Sequence, residues 1–161
     1  PLPEAQLDRF FFNIDIQYPK EAEEIEIAKL SSTFDASNLE PIFEPELINS
    51  FQTLVNAVPM GEHLVEWVVH FIRDTRPEQT RFEEVRNLLE WGAGVRASQN
   101  IVRAARARAA LDGSSAVRPE HIRAILLPIL RHRLILNFSA EAEQWNSDRL
   151  IEWLIERSPF P

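Results

Sequence analysis

Hydrophobic and polar residues alternate along the first part of the chain. Every second position from 10 to 18 is aromatic or β-branched, and polar residues lie among the positions between them. A period of two with these residue types predicts a β-strand over 10–18. Because a lone strand cannot pair its own backbone N–H and C=O groups, we expect its sheet partners outside this sequence or in another chain.

After Pro19 the hydrophobic residues recur at the spacing of helices. Helices are predicted over 20–31, 46–58, 62–75, 82–89 and 96–111, from 119 to a kink or break at Pro128, over 129–136, and from 147 onward. Residues 32–45 and 137–144 are predicted to be irregular, and no second strand is predicted. The predicted fold class is all-α, a helical bundle preceded by one orphan β-strand.

Length and composition narrow the class of protein. A chain of 161 residues can bury a core as one compact domain, and the absence of cysteine excludes disulfides, thiolate nucleophiles and cysteine-based zinc sites. No apolar stretch approaches the roughly 20 residues that a membrane span requires. We therefore expect a cytoplasmic protein with no membrane span.

Charge is distributed unevenly around a net value of −8. Residues 96–133 hold eight arginines against Asp112 and Glu120, a net charge of +6, whereas nine basic and 23 acidic side chains elsewhere give −14. The arginines have two interpretations: solvated helix faces, or a surface turned toward an anion. The acidic remainder makes nucleic acid an unlikely partner, and such a binder would show steeply salt-dependent DNA binding.

The sequence predicts neither a phosphate-binding loop nor a metal site. A Walker A loop requires Gly-x-x-x-x-Gly-Lys-Ser/Thr, and neither the four glycines nor the two lysines of the chain match that pattern. No apolar strand ends in paired acids that could hold Mg²⁺, so this chain alone should not hydrolyse ATP. His63, Glu66 and His70 share one helix face and have the donor types that zinc uses, but a solvated polar face is the favoured interpretation and no metal site is predicted.

The first residues, PLPEAQLDRF, closely resemble the LPEAQLDRF stretch of MoxR-type AAA+ ATPases, which lies late in the nucleotide-binding core. Further resemblance to the lid of that family extends over most of the chain. It is carried by Thr75-Arg76, the Ala-rich 104–111 with Asp112-Gly113, VRPEHI at 117–122 and LRHRL at 130–134, and it is weakest over 77–90 and 137–161. The chain is thus interpreted as a C-terminal fragment: residues 1–19 end the AAA+ core, and residues 20–161 form the helical lid with its C-terminal helix.

The resemblance implies roles for two arginines. Arg9 matches the arginine finger, which reaches the nucleotide of the neighbouring subunit in trans. Arg96 stands where the family carries GxSPRA with its sensor 2 arginine, which contacts the γ-phosphate of the nucleotide in the same subunit. This chain has Gly92-Ala93-Gly94-Val95-Arg96-Ala97 instead. Losing the proline and gaining Gly94 predicts a less firmly fixed Arg96.

The resemblance also implies the function of the parent protein. It would use ATP and Mg²⁺, assemble as a ring, a hexamer in this family, and couple hydrolysis to chaperone-like remodelling or maturation of client proteins. The lid would open and close about residues 18–22. No cofactor is expected on the fragment itself.

Two other interpretations remain open at this point. A non-enzymatic helical module descended from such a lid would bind a protein partner through its apolar faces and would make no nucleotide contact through Arg96. A magnesium-chelatase ATPase subunit shares an LDRF-like element but fits the later segments less well. In either case the exposed aromatic residues of 10–12 predict that the isolated chain dimerises through its orphan strand.

Overall fold

The computed structural model of the protein describes residues 3–30 and 40–161. Most of the predicted connection over 32–45 lies outside the described residues. The helices are α1 (Glu4–Leu7), α2 (Glu21–Leu30), α3 (Pro45–Ala57), α4 (Glu62–Asp74), α5 (Glu83–Leu88), α6 (Val95–Leu111), α7 (Pro119–Leu130), α8 (Phe138–Ala142) and α9 (Ser147–Arg157). The strands are β1 (Leu89–Trp91) and β2 (Ile135–Leu136). The predicted all-α class is confirmed.

The hydrophobic core lies between α4, α6, α7 and α9. Alanines form the buried face of α6, and small side chains allow its partner helices to approach closely; α6 and α7 form the most extensive helix contact. Large side chains from the other helices fill the space between them. Those that are almost completely buried include Phe71, Ile72, Ile122, Leu126, Ile129, Leu130, Leu150, Ile151 and Leu154, and Ile101 adds one large buried side chain from α6 itself.

The alternating segment 10–18 remains without a strand partner. Residues 12–20 are neither helical nor part of a ladder in the described chain, and the Asn13 N–H donates to the carbonyl of Pro128 at 2.8 Å. A ladder requires a neighbouring strand, so an orphan segment of this kind is what the pattern implies.

The prediction that no second strand follows was wrong. β1 and β2 pair antiparallel, with Leu89 opposite Leu136 and Trp91 opposite Ile135. Strands of three and two residues are too short for a period of two to show in the sequence, so only the fold reveals them.

Two expectations for the later helices also need correction. α7 continues through Pro128 and ends at Leu130, so no helix spans 129–136. A proline this close to the helix end removes only its own backbone donor, while Leu126, Ile129 and Leu130 remain buried and hold the last turn in place. The predicted loop over 137–144 contains α8, where the Asn137 side chain accepts a hydrogen bond from the Ala140 N–H at 3.0 Å.

A consequence for the site follows from the early end of α7. Residues 131–133 form a turn, so His132 and Arg133 leave the helix and contact the N-terminal segment. No helix among the described residues is long and apolar enough to cross a membrane.

Candidate functional site

A buried arginine fastens the N-terminal turn to the bundle. The side chain of Arg133 is only 1% exposed. Its guanidinium donates to the backbone carbonyls of Asp8 at 2.9 Å, Phe10 at 2.6 Å and Phe11 at 3.4 Å, and also to that of Ile129. An arginine fork with five N–H groups can satisfy several carbonyls at once, which explains its place under this turn.

Asp8 supplies the counter-charge for Arg133. Its Oδ1 accepts a hydrogen bond from Arg133 Nε at 2.9 Å. Burial lowers the pKa of Arg133 from its usual value, and the hydrogen bond and charge of Asp8 oppose that change. A buried guanidinium needs such a partner, because an uncompensated buried charge is strongly destabilising.

The second oxygen of the same carboxylate binds Arg96. Arg96 Nη1 lies 3.0 Å from Asp8 Oδ2, although the two residues are 88 positions apart in the sequence. The Arg96 side chain is 48% exposed, in contrast to the enclosed Arg133. Asp8 therefore joins one buried and one half-exposed arginine.

Arg96 lies in the first turn of α6. The N-cap residue Gly94 makes no side-chain capping bond, and the first turn carries no acidic residue. The positive end of the helix dipole is therefore not neutralised by a local side chain of α6, and the Arg96 guanidinium adds its full charge there.

The loop that leads into α6 is held by hydrogen bonds and close packing up to Ala93. The Ala93 N–H donates to Thr75 Oγ1 at 3.1 Å, and Arg76 Nε donates to the Ala93 carbonyl at 2.9 Å. A Cβ added at Gly92 would lie 2.1 Å from the Thr75 carbonyl oxygen, so this position requires glycine for close approach.

Gly94, which was expected to loosen Arg96, is not needed sterically. A Cβ there would meet nothing within 4 Å, and its φ of −79° is accessible to any residue. The expected freedom is thus confined to the single residue between the fixed loop and α6.

Arg9 differs from the other two arginines. It is exposed, it lies in the turn after α1, and its side chain makes no hydrogen bond or ion pair with the part of the chain that the structure describes. Its backbone N–H donates to the Gln6 carbonyl at 3.1 Å, so the turn around it is ordered. Its guanidinium is available to another molecule.

His132, like Arg133, binds the N-terminal turn. Its Nε2 lies 3.2 Å from the carbonyl of Phe10, and its Nδ1 is buried with no hydrogen-bond partner among the residues that the structure describes. Burial lowers the pKa of His132, and the neighbouring charge of Arg133 lowers it further, while the Phe10 carbonyl acts in the opposite direction. These effects favour the neutral ring.

The remaining candidates are structural or solvated. His63, Glu66 and His70 are exposed, and no group of three or more potential ligands in 3–30 and 40–161 is arranged to hold a metal ion. His121 is buried, and its Nδ1 accepts from the Arg118 N–H at 2.9 Å at the start of α7.

Sequence reasoning named Arg9 and Arg96 and missed the carboxylate between them. Asp8 was part of the LDRF resemblance, and Arg133 was part of LRHRL, but neither was given a role. The available signal was that two distant motifs carry opposite charges, Asp8 in LDRF and Arg133 in LRHRL.

Comparison with known proteins shows which family the chain resembles. Residues 81–153 match the family described as the AAA lid domain. The whole chain aligns with a Mycobacterium tuberculosis protein named chaperone MoxR1, at 32% identity over 162 residues and covering 43% of that protein. The chain belongs to the MoxR-type AAA+ proteins. Of the two families considered from the sequence, the comparisons support this one.

Further similarity is found to a second bacterial protein and to a crystal structure. A Bacillus subtilis protein, YeaC, is 28% identical over 162 residues, which is 100% of this chain and 48% of that protein. The crystal structure of a Cytophaga hutchinsonii protein to which an ATPase activity is ascribed superposes with a TM-score of 0.89 at 30% identity, covering 100% of this chain and 49% of that one. The chain thus spans about half the length of the relatives it matches, and the segments 77–90 and 137–161 fall within the aligned region.

Proposed function

We propose that this chain supplies the lid and the last part of the core of an ATP-driven, chaperone-like machine. Residues 1–19 would complete the AAA+ core and residues 20–161 would form the lid. The AAA+ family membership implies ATP and Mg²⁺ in the parent protein. Since the sequence contains no Walker A motif, the phosphate cradle and the Mg²⁺ ligands would come from elsewhere in that protein.

One observation carries the proposal at the level of residues. The two arginines that the sequence singled out, Arg9 and Arg96, lie on either side of Asp8: Arg9 follows it in the chain and Arg96 binds its carboxylate at 3.0 Å. The backbone positions of the two arginines, which are distant in the sequence, are therefore linked through one carboxylate.

This arrangement suits a phosphate group. A guanidinium is planar and permanently charged, and it binds phosphate oxygens through paired N–H groups. Arg96 also stands at the start of the 17-residue α6, where the helix dipole favours an anion. With Arg9 unpaired among the described residues and Arg96 half-exposed, both can approach such a ligand.

The proximity of the two arginines refines the roles expected from the resemblance. The sequence assigned Arg9 to the neighbouring subunit's nucleotide and Arg96 to its own. Because Arg96 binds the carboxylate of the residue that precedes Arg9, a single nucleotide that meets both arginines is the simplest arrangement. We assign both arginines to the phosphates of the nucleotide held by the neighbouring subunit of a ring.

The lid would transmit the result of hydrolysis. Residues 12–20 connect the Asp8–Phe11 turn to α2 without regular structure, which supports a hinge at about 18–22. A change at the phosphates would then alter the angle between lid and core, and the ring would pass this motion to a client protein.

The test uses the protein expressed from its complete gene. Arg9→Ala and Arg96→Ala are compared with Arg123→Ala, which removes an exposed arginine from α7 at a distance in sequence from both motifs. We expect Arg9→Ala to bind ATP and to lose turnover by on the order of 10³-fold or more, as for arginine fingers in related phosphoryl-transfer systems. Arg96→Ala should weaken both ATP binding and turnover, and Arg123→Ala should change neither.

Rings assembled from two kinds of subunit show whether each arginine acts on the nucleotide of its own subunit or on that of the neighbouring subunit. Arg9→Ala subunits are combined with subunits that cannot bind nucleotide, and turnover is measured. A residue that acts in trans is restored when an intact neighbour supplies it, so activity should return in the mixture. The same result is expected for Arg96→Ala. Turnover that is unchanged in both single variants would remove the proposed function.

A further inference from the structure

We propose that Asp8 is a positioning residue that holds Arg96 in the nucleotide-free state and releases it when a phosphate group takes its place. This inference rests on the proposed function, since it requires Arg96 to meet a nucleotide phosphate. It assigns to the Asp8 carboxylate a control over how tightly the nucleotide is bound.

The two oxygens of Asp8 have different surroundings. Oδ1 accepts from Arg133, whose side chain is 1% exposed and also donates to the backbone carbonyls of the N-terminal turn. Oδ2 binds Arg96, whose side chain is 48% exposed and has no other hydrogen-bond partner in the described part of the chain. One contact is therefore locked into the fold and the other can be exchanged.

The magnitudes favour this exchange. An ion pair between partly exposed side chains shifts an equilibrium by about fivefold at most, because water screens the charges. A polyphosphate carries more charge than a carboxylate and accepts paired N–H donors from an arginine. The Asp8–Arg96 pair is thus strong enough to orient Arg96 and weak enough to yield to phosphate.

The locked contact keeps the rest of the site in place during the exchange. When Arg96 moves to phosphate, Asp8 remains bound to Arg133, and Arg9 remains in the same turn. In a fraction of the nucleotide-free molecules, Arg96 is paired with Asp8 and cannot bind phosphate. Asp8 would therefore reduce the apparent affinity for nucleotide according to that fraction, without altering the bound state.

Asp8→Asn separates the two contacts. The amide oxygen can still accept from Arg133 Nε, while the amide nitrogen, a donor, replaces the oxygen that faces Arg96. In the protein expressed from its complete gene, the dissociation constant for a non-hydrolysable ATP analogue and the KM for ATP should fall about two- to fivefold. The kcat should change by less than about twofold, because the bound state is unaffected.

The Arg96→Ala background identifies the route of the effect. Asp8→Asn should change neither the dissociation constant nor the KM when Arg96 is already absent, as in a double-mutant cycle. A purely structural role for Asp8 would not tighten binding. A lower thermal midpoint is expected in either case, because Asp8→Asn also removes the counter-charge of the buried Arg133. Asp8→Ala, which also removes the acceptor for Arg133, serves as that structural reference.

Each outcome has a distinct meaning. If Arg96→Ala weakens ATP binding but Asp8→Asn leaves it unchanged or weakens it, the inference is wrong and the proposed function stands. If Asp8→Asn tightens binding equally with and without Arg96, Asp8 acts through its general charge and the inference is again wrong. If Arg96→Ala has no effect on binding or turnover, the proposed function itself fails.

Discussion

The helical bundle from Glu62 onward and the N-terminal turn at 8–13 are held in place by different forces. Every buried hydrophobic side chain in the described residues lies at or after Leu64. No side chain that is described between 3 and 57 is buried, although this region is rich in large apolar residues. Those that are exposed there include Phe10, Phe12, Ile14, Ile16, Tyr18, Ile25, Ile27, Ile48, Phe51 and Leu54.

The N-terminal turn is attached by polar contacts instead. Arg133 and His132 bind the backbone carbonyls of this turn, Asp8 pairs with Arg133 and Arg96, and Asn13 donates to the last turn of α7. Phe11 adds a half-buried ring against the core. The hydrophobic effect thus stabilises the bundle from Glu62 onward, whereas directional hydrogen bonds and charge hold the turn at 8–13 in one geometry.

This difference shows which region can respond to a ligand. Close-packed helices yield little to a change in charge, whereas a turn held by charged groups shifts when one partner is exchanged. The two candidate arginines lie at the boundary between these regions, which is where a change at a phosphate can be converted into movement of one region against the other.

The largest expected effect is the loss of a core side chain. Leu126→Ala removes a fully buried side chain in α7 and should lower the free energy of unfolding by about 2–5 kcal/mol. Ile16→Ala is the matched change in the other region, where the side chain is 87% exposed, and it should alter stability by less than about 0.5 kcal/mol. Denaturant unfolding measures both, and similar losses in the two variants would contradict the contrast drawn between the regions.

The second effect concerns the polar contacts that attach the N-terminal turn to the bundle. Arg133→Met keeps a long apolar side chain but leaves Asp8 and several carbonyls without their donor, so we expect a loss of about 2–4 kcal/mol. Amide hydrogen exchange should rise at Asn13 and in the turn before it, while the core of α6 stays protected.

Arg123→Met is the control for that change, because it removes an exposed arginine from the same helix region. It should leave both stability and exchange unchanged. Fast exchange that spreads evenly over the bundle in Arg133→Met would show that Arg133 supports the core as a whole and not the N-terminal turn.

The third effect separates the two glycines before α6. Gly92→Ala places a Cβ 2.1 Å from the Thr75 carbonyl oxygen, so the backbone must shift, at a cost of about 1–3 kcal/mol. Gly94→Ala meets nothing within 4 Å and should change stability by less than about 0.5 kcal/mol. Thermal unfolding of the pair tests whether the loop is fixed by close approach at Gly92, and equal midpoints would speak against it.

The smallest effect is a dependence on pH through His132. Burial and then Arg133 lower its pKa in the folded state, so the unfolded chain takes up the proton first as the pH falls. The contribution is fully present above the ordinary histidine value of about 6.5 and is lost as the pH drops below it. We expect it to be small because the ring is only half-buried.

His132→Gln isolates this contribution. The glutamine amide can still donate to the Phe10 carbonyl and does not titrate. The stability difference between the parent chain and the variant should therefore shrink or reverse between pH 7 and pH 5. A difference that stays constant over this range would show that His132 does not titrate on unfolding.

Much of the fold could be predicted because helical periodicity is a strong local signal. The helices from Glu62 to Leu111 and the final one at Ser147 follow apolar residues at spacings of three and four. What could not be predicted depends on contacts between distant residues: the β1–β2 pair, the early end of α7, and the cap that starts α8.

In the site, too, local motifs could be predicted and contacts between distant residues could not. Arg9 and Arg96 were found through local motifs, each readable within a few residues. Asp8 and Arg133 could not be assigned because their roles exist only when the N-terminal turn meets the end of α7. The looser position predicted for Arg96 from Gly94 stays a prediction, and the contacts of Thr75 and Arg76 with Ala93, which hold the loop before it, are not visible in the sequence.

The most direct test is a structure of the protein expressed from its complete gene, assembled and bound to a non-hydrolysable ATP analogue with Mg²⁺. We predict that the guanidiniums of Arg9 and Arg96 lie within about 2.7–3.2 Å of phosphate oxygens of one nucleotide. Arg96 should have left Asp8, which should remain bound to Arg133. Both guanidiniums in solvent, or Arg96 still paired with Asp8 beside a bound nucleotide, would contradict the account.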